Sequence, residues 1–551
     1  MKTWKDYSEK ILVVLLLILI FCVVTLSCVP PVAKDELVHH LAIPRLYLKH
    51  GGMCEIPFMP FSYYPMNLQL LYLIPLYLGN DIVPKFIHFS FALLTAYLIF
   101  IYLRPRLDRR YALLGALFFL SIPIVVKLSI TAYIDLGVIF FSFASLFFIL
   151  KWIESGFRIK FLIYSAIICG LGLGTKYNAL ITLLLFTLFV PFAYSRYRKG
   201  RKPGFFRTAT QGLVFFFVAL LIFSPWMLRN YQWKKNPIYP FYDHVFNPPV
   251  QSLRDADGIR NEKPKSGIFT VREALYQEKW WEMALLPMRV FFQGEDGDPK
   301  YFDGKLSPFL LLFPFFAFFR FRRDSAHLKA EKTIFAAFAF LYFFVAFFSF
   351  GLRIRYIAPF IPPLVVLAIF GIHRIQESLI NSRYLQSNRI KTSIFFMIVL
   401  SSLIYNAAYL YGQFKTVDPF SYLSGSVTRD EYIARFRPEY PAVLYINRNM
   451  PMDAAVSLIF LGNRGYYLDR AYVYGEEKLL RIGKKSETPE NILVGLSASG
   501  ITHLFIFEPL LQKWVGDNFP GRAGLKFQQF FAKHTKLLFH KNGFFVFALH
   551  S

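Results

Sequence analysis

The sequence is poor in charged residues and in cysteine. Asp, Glu, Lys and Arg make up 18% of its 551 residues, whereas a soluble chain carries about 25%. Of its four cysteines, Cys22, Cys28 and Cys169 lie in or beside apolar runs, and only Cys54 lies in a loop. The low charge argues against a soluble multidomain protein, and the few cysteines argue against a disulfide-stabilised secreted domain.

Apolar residues take the place of the missing charge. The chain is 55% hydrophobic and 19% aromatic, and apolar runs of about 18–20 residues recur along it, as in a polytopic membrane protein. The net charge of +27 comes mainly from Lys and Arg in short loops between these runs, as the positive-inside rule requires. The charge therefore indicates a membrane lipid environment and not a nucleic-acid partner.

The basic loops predict a topology of about eleven spans. Lys2, Lys5 and Lys10 precede a first apolar segment that no small-x-small pattern follows, so we expect an uncleaved first span with its N-terminus inside. The predicted spans are 11–29, 84–103, 111–130, 132–151, 161–174, 177–194, 208–228, 306–319, 333–350, 357–372 and 393–412. Residues 30–83 and 229–305 become long outer loops, and 67–79 becomes a helix at the membrane surface.

The end of the chain has a different pattern. Five short runs, AVLYINRNM, DAAVSLIFLG, GYYLDRAYVYG, ITHLFIFE and FFVFALHS, are rich in strand-forming residues and are separated by polar segments. The predicted fold is therefore an all-α polytopic membrane domain, residues 1–412, followed by a small extracytoplasmic α/β domain, residues 413–551.

This topology gathers polar residues on the outer side of the membrane. Asp135, in TAYIDL, lies one turn inside the predicted span 132–151. A carboxylate costs roughly 2.5–3.5 kcal/mol at the centre of a span and less near its end; Asp135 is either functional, a helix cap or the buried partner of a cation. The outward cations either bind an anionic ligand or extend to anionic head groups. The outer-side candidates are Lys85, His88, Asp135, Lys176, Arg229, Asn230, Arg353, Arg355 and Tyr356.

The stretch PPVAKDELVHH, directly after the first span, carries four titratable groups. We expect a helix over 35–49, in which Asp35 faces His39 and Glu36 faces His40 at i+4 spacing. Carboxylates at a helix N-terminus stay ionised, as a general base requires, although Asp35 could instead only cap the helix. A divalent metal on Asp35, His39 and a further carboxylate stays open, but adjacent helical histidines diverge by about 100° and do not easily share one ion.

Five motifs in this order carry a resemblance to the GT-C membrane glycosyltransferases. They are the Asp-Glu pair after span 1, TAYIDL, TKYNAL, PWMLRNYQWKKNPIYPFY and RIRYIAP, and together they extend over roughly residues 10–375. Their order is similar to that in protein O-mannosyltransferases and in the lipid A aminoarabinose transferase. The first outer loop has no Asp-x-Asp pair and the chain has no WWDYG-like signature, which disfavours an oligosaccharyltransferase.

The resemblance implies an inverting hexosyl or pentosyl transfer from a polyprenyl-phosphate-linked sugar to a lipid, glycan or protein on the outer face of a bacterial inner membrane. By matching position, Asp35 would be the base, Glu36 its neighbour and Asp135 the second acidic motif. Lys85, Lys176, Arg353 and Arg355, with Tyr356, would bind the donor phosphate. No cofactor is certain. The alternatives are a transporter of an anionic solute, or a non-enzymatic scaffold.

Overall fold

The structure is a computed structural model that describes residues 2–198, 203–248, 268–349, 352–382 and 386–550. Parts of the predicted outer stretch 229–305 therefore lie outside the described residues. The chain divides into two compact units. We call them the helical unit (Met1–Cys28, Tyr64–Leu71 and Val83–Pro419) and the α/β unit (Val29–Tyr63, Tyr72–Ile82 and Phe420–Ser551).

The described residues before Pro419 form helices at each predicted apolar run and shorter helices between these runs. In chain order they are α1 (Lys2–Ser27), α2 (Ala42–Lys49), α3 (Asn67–Tyr77), α4 (Val83–Leu103), α5 (Arg109–Ser121), α6 (Pro123–Ser129), α7 (Asp135–Glu154), α8 (Ile159–Leu173), α9 (Ala179–Tyr197), α10 (Phe205–Lys234), α11 (Asp243–Phe246), α12 (Ile268–Tyr276), α13 (Trp280–Ala284), α14 (Leu286–Phe292), α15 (Phe309–Ala317), α16 (Ala326–Ser349), α17 (Ile354–Ile357), α18 (Ile361–Ile380) and α19 (Asn388–Val417).

Eight of the eleven predicted spans are confirmed as helical segments long and apolar enough to cross a membrane, within the described part of the chain. The predicted span 111–130 is instead a pair of helices, α5 and α6, bent by 67°, because Pro123 cannot continue a helix whose backbone N–H groups must all be bonded. The predicted spans 161–174 and 306–319 are the shorter helices α8 and α15, of 15 and 9 residues.

The helical unit has central and peripheral helices. In the apolar segment Ile354–Ile380, 83% of the most apolar stretch is buried, compared with 17% in α19. Helix α15 packs closely on α18 at Gly371, where a Cβ atom would lie 2.0 Å from the carbonyl oxygen of Phe313. Helices α18 and α19 are both apolar, but α18 is largely buried among other helices and α19 is largely exposed. Only packing distinguishes them.

The α/β unit contains one mixed sheet. Its strands are β1 (Ala455–Ile459), β2 (Ala471–Tyr474), β3 (His503–Phe507), β4 (Thr535–Lys541) and β5 (Phe544–Leu549), in the order β2-β1-β3-β5-β4. Strands β1, β2 and β3 are parallel, and β5 pairs antiparallel with β3 and β4. The helices are α20 (Pro419–Leu423), α21 (Arg429–Phe436), α22 (Tyr440–Asn449), α23 (Glu476–Lys485), α24 (Pro489–Ser497), α25 (Glu508–Asn518) and α26 (Arg522–His534).

The predicted α/β character is confirmed, but one run is assigned wrongly and one strand is missing from the prediction. The run AVLYINRNM is helix α22, whose buried residues Tyr440, Val443 and Ile446 follow the helical period of three to four. Strand β4 was not predicted, because its residues TKLLFHK are mostly exposed or half-buried at the edge of the sheet and lack a clean alternation.

The α/β unit also contains two segments of the predicted first outer loop. Arg45 of α2 forms an ion pair of 2.6 Å with Asp469, and Asp81 forms one of 2.5 Å with Arg429. The unit boundary after Pro419 lies close to the predicted boundary at 412, but Val29–Tyr63 pack with the end of the chain. Pairing between segments this far apart in sequence leaves no local signal, so the sequence alone assigned residues 30–83 to the membrane domain.

Candidate functional site

The predicted helix over 35–49 is interrupted. Residues Glu36–His40 form one π-helical turn, closed by the N–H of Leu41 on the carbonyl oxygen of Glu36 at 2.9 Å, and α2 begins after it. Single π-turns are frequent at functional sites because the extra residue redirects side chains. The sequence could not predict the turn, since the i+4 spacing of the carboxylates and histidines fits an ordinary helix equally well.

The two carboxylates of the π-turn differ in role. Asp35 is the N-cap residue of the turn, and its side chain makes no capping hydrogen bond. Glu36 is 1% exposed, and its Oε2 accepts a hydrogen bond of 2.8 Å from the N–H of Ala33. Glu36 therefore stabilises the backbone that carries Asp35.

The histidines do not diverge as an α-helix would require. The rings of His39 and His40 lie 4.0 Å apart at 52°, and His39 stacks on Phe61 at 4.3 Å. Among the described residues, no group of three or more His, Cys, Asp and Glu side chains is arranged to hold a metal ion. The histidine pair is thus a packed aromatic contact in this structure.

Asp135 lies in the helical unit, in the first turn of α7. Its side chain is 3% exposed, and its Oδ1 accepts a hydrogen bond of 2.7 Å from Nζ of Lys176, which is 16% exposed. The charge of Arg355 also acts on Asp135. TAYIDL, TKYNAL and RIRYIAP, which are distant in sequence, are therefore brought together by the packing of α7 against its neighbours.

Arg355 and Lys176 share an aromatic neighbour. The guanidinium of Arg355 lies 5.3 Å from the ring centre of Tyr133 and 5.2 Å from that of Tyr356, and Nζ of Lys176 lies 5.0 Å from the ring centre of Tyr356. We call these five residues, Asp135, Lys176, Arg355, Tyr133 and Tyr356, the Asp135 cluster. It holds two cations against one carboxylate, in a region where Arg355 is 9% exposed.

Arg353 does not join this cluster. Its side chain is 38% exposed and its Nη1 lies 3.7 Å from Oδ2 of Asp303, a carboxylate that also pairs with Lys127 at 3.2 Å. The two arginines are two positions apart in sequence, but their environments differ: Arg353 lies beside a carboxylate and Arg355 lies beside two aromatic rings. Only Arg355 has the burial and the aromatic contacts of a preorganised cation.

His88 and Lys85 lie on α4. The Nε2 atom of His88 accepts the N–H of Leu136 at 2.9 Å, and its Nδ1 lies 2.8 Å from the carbonyl oxygen of Thr131. Both ring nitrogens are thereby engaged by main-chain groups, and the imidazole links the turn before Asp135 to α4. Lys85 is 3% exposed, one turn earlier on the same helix.

Arg229 and Asn230 form a further buried group at the end of α10. The guanidinium of Arg229 donates to Oδ1 of Asn230 and to the carbonyl oxygen of Tyr64, and it lies 4.6 and 4.9 Å from the ring centres of Trp226 and Trp233. Asn230 in turn donates to the hydroxyl of Tyr177 at 3.2 Å.

The sequence pattern does not single out the aromatic residues beside these candidates. Tyr133 and Tyr177 stand beside selected residues in TAYIDL and TKYNAL, so proximity to the motifs was the available signal. Burial raises the pKa of Tyr64, and the neighbouring Tyr356 raises it further. The phenol of Tyr64 is therefore neutral at physiological pH.

The structure thus separates the candidates by unit. The α/β unit holds Asp35, Glu36, His39 and His40, and the helical unit holds Lys85, His88, Asp135, Lys176, Arg229, Asn230, Arg353, Arg355 and Tyr356. Within the helical unit, three of the sequence motifs meet in the Asp135 cluster.

Comparison with known proteins confirms the resemblance predicted from the motifs. Residues 78–228 match the family described as dolichyl-phosphate-mannose-protein mannosyltransferase. No curated protein matches the sequence. The part of the chain that the family match covers contains TAYIDL and TKYNAL, which supply Asp135 and Lys176.

Solved structures share the fold over nearly the whole chain. ArnT from Cupriavidus metallidurans in the apo state is similar with a TM-score of 0.55 and 14% identity, over 97% of this chain and 97% of ArnT. ArnT bound to undecaprenyl phosphate gives the same TM-score and identity, over 100% and 98%. The oligosaccharyltransferase AglB from Archaeoglobus fulgidus, in complex with an inhibitory peptide and a dolichol-phosphate, gives 0.53 and 12%, over 100% of this chain and 75% of AglB. The chain therefore has the GT-C fold of a polytopic membrane protein.

Proposed function

We propose that this protein is an inverting glycosyltransferase that moves a sugar from a polyprenyl-phosphate-linked donor to a lipid, glycan or protein acceptor. The observation that carries the proposal is the Asp135 cluster, in which Lys176 and Arg355 are held together beside one carboxylate. We place the reaction on the outer face of a bacterial inner membrane, with the α/β unit extracytoplasmic.

The cluster suits a phosphate ligand. Cations in a partly dehydrated environment interact more strongly with an anion than they do in water. Arg355 can offer two parallel N–H groups to phosphate oxygens, and Lys176 adds a compact charge. The aromatic faces of Tyr133 and Tyr356 fix the guanidinium in place before the donor arrives.

The chemistry needs one base and no general acid. Polyprenyl phosphate leaves as an anion that the cations stabilise, so the leaving oxygen does not have to be protonated. The acceptor hydroxyl or amine must lose a proton as it attacks the anomeric carbon, and we assign this role to Asp35. Glu36 supports it through its hydrogen bond to Ala33. Lys85, Arg353 and Tyr356 remain further donor-phosphate candidates.

The fold supports this substrate class. ArnT has been solved with undecaprenyl phosphate and AglB with a dolichol-phosphate, and both share the architecture described above. A polyprenyl-phosphate carrier for this chain is the corresponding proposal. A comparison of hexose and pentose donors identifies which type of sugar is transferred.

A donor panel tests the proposal. Purified protein is offered polyprenyl phosphates that carry different hexoses and pentoses, with a membrane lipid extract as the acceptor source, and released polyprenyl phosphate is measured. Release with at least one donor, abolished in Asp35→Asn, is the expected result. No release with any donor would favour an anion transporter or a scaffold over an enzyme.

A further inference from the structure

The main chain around Asp35 is held by side chains from the end of the protein. The hydroxyl of Tyr467 donates to the carbonyl oxygen of Pro31 at 2.7 Å, although the two residues are 436 positions apart. Arg437 donates from Nε to the carbonyl oxygen of Val32 at 2.5 Å, and from Nη2 to the same oxygen. All these residues belong to the α/β unit.

The far side of the π-turn is held in the same way. The N–H of Tyr466 donates to the carbonyl oxygen of Leu37 at 3.2 Å, and the hydroxyl of Tyr474 donates to the carbonyl oxygen of Val38 at 3.4 Å. We call Arg437, Tyr466, Tyr467 and Tyr474 the carbonyl clamp. Asp35 lies between the two stretches of backbone that the clamp fixes.

The π-turn needs such support. One π-turn has few hydrogen bonds of its own, and the carbonyl groups of Pro31 and Val32 precede it. Buried main-chain oxygens must be bonded, and here distant residues supply the donors. Burial keeps the pKa of Tyr467 well above its usual range, so its hydroxyl stays a donor.

The loop that presents the two tyrosines is itself shaped for the contact. Between β1 and Tyr466 the backbone adopts the left-handed conformation at Phe460 (φ 60°) and Asn463 (φ 61°). Asn adopts this conformation readily, whereas it is unusual for a bulky residue such as Phe. The N–H of Phe460 donates to Glu476 at 2.8 Å and fixes the start of the loop.

We propose that Tyr467 and Arg437 are positioning residues that set the orientation of Asp35 through the carbonyl oxygens of Pro31 and Val32. The inference rests on the proposed function, in which Asp35 is the base. Proton transfer depends on a geometry defined to within a few tenths of an ångström. Tyr467 and Arg437 thereby act on the reaction through Asp35 and do not contact the reacting atoms themselves.

The test removes one hydroxyl. Tyr467→Phe keeps the ring, which contacts Tyr440 and Tyr466 at 5.3 and 4.9 Å, and loses only the bond to Pro31. We expect kcat to fall about tenfold, the effect of one lost positioning hydrogen bond, while KM for the polyprenyl-phosphate sugar changes less than about twofold. Tyr445→Phe, a tyrosine that stacks on Phe539 in the same unit, is the matched control and should retain the wild-type rate.

Two further measurements separate positioning from general destabilisation. Amide hydrogen exchange in residues 33–41 should accelerate in Tyr467→Phe and Arg437→Gln but not in Tyr445→Phe. In an Asp35→Asn background, Tyr467→Phe should lower the residual rate no further, because its effect passes through Asp35. An additional tenfold loss in that background would overturn the inference.

The outcomes also distinguish this inference from the proposed function. Wild-type transfer by Asp35→Asn would refute the base assignment and, with it, the positioning of a base. An inactive Asp35→Asn together with normal kcat in both Tyr467→Phe and Arg437→Gln would leave the proposed function intact and refute the clamp alone.

Discussion

Removal of either partner of the Asp135–Lys176 pair separates a structural role from a donor-binding role. At 2.7 Å the attraction of two unit charges is roughly 6 kcal/mol at an effective dielectric constant of about 20. Dehydration of both groups offsets most of this, so the pair as a whole contributes little net stability. Loss of one partner is different, because it leaves the other charge buried.

The two single variants should not be equivalent. Lys176→Met leaves a carboxylate that is 3% exposed and whose Oδ2 has no hydrogen-bond partner among the described residues; such an uncompensated charge costs about 3–5 kcal/mol. The charge of Arg355 favours the lower end of that range. Asp135→Asn leaves an ammonium that is 16% exposed and can reach water, so we expect a smaller loss of about 1–2 kcal/mol.

The double variant is the decisive one. Asp135→Asn/Lys176→Met contains neither ion of the pair, so its apparent melting temperature in detergent should be higher than that of Lys176→Met alone. If Lys176 binds the donor phosphate, polyprenyl phosphate release should nevertheless stay low in the double variant. Recovery of both melting temperature and transfer would refute the donor-binding assignment and leave the pair as a structural contact.

Three further predictions test other residues. Asp35→Asn should reduce transfer by several orders of magnitude with folded protein retained, whereas Glu36→Gln, whose amide oxygen can still accept the N–H of Ala33, should lose less than about tenfold in kcat. Arg355→Ala should weaken donor binding in a titration with polyprenyl-phosphate sugar, and Arg353→Ala, already paired with Asp303, should change it little; the reverse order would contradict the cluster. Burial lowers the pKa of His503 below 6.5, partly opposed by Asp453, so the unfolded state binds this proton more readily and stability present above pH 6.5 is lost as the pH falls through the folded-state pKa. Melting temperatures at about pH 7.5 and about pH 5.5 should therefore differ less in His503→Gln than in the wild type, and an unchanged difference would contradict this.

The membrane-spanning helices could largely be predicted because their signal is local. An apolar run of sufficient length must form a helix in lipid, where each backbone N–H and C=O group needs an internal partner. The signal fails where tertiary packing decides, as in α15, a nine-residue helix held on α18 by the close approach at Gly371. It also fails at Pro123, where one predicted span becomes the bent pair α5 and α6.

The sheet was predictable to a similar degree and for a similar reason. Strands β1 and β3 are buried on both faces and consist almost wholly of apolar residues, so composition identifies them. Helix α22 has the same apolar and aromatic composition, and only the spacing of its buried residues distinguishes it from a strand. Amino-acid composition therefore identifies the α/β character of the unit. The spacing of the buried residues is needed to decide whether each run is a helix or a strand.

The arginines of RIRYIAP show what limits prediction of the site. Both carry the same charge, stand two positions apart and violate the positive-inside trend equally, so the sequence offers no reason to separate them. In the structure they are separated by their neighbours: Arg353 faces Asp303, and Arg355 lies between Tyr133 and Tyr356. The two aromatic rings fix the orientation of the guanidinium of Arg355, which is 9% exposed, whereas the side chain of Arg353 is 38% exposed and lies beside a carboxylate. We therefore expect Arg355 to contribute more than Arg353 to donor binding, and a titration of the two alanine variants with the donor measures that difference directly.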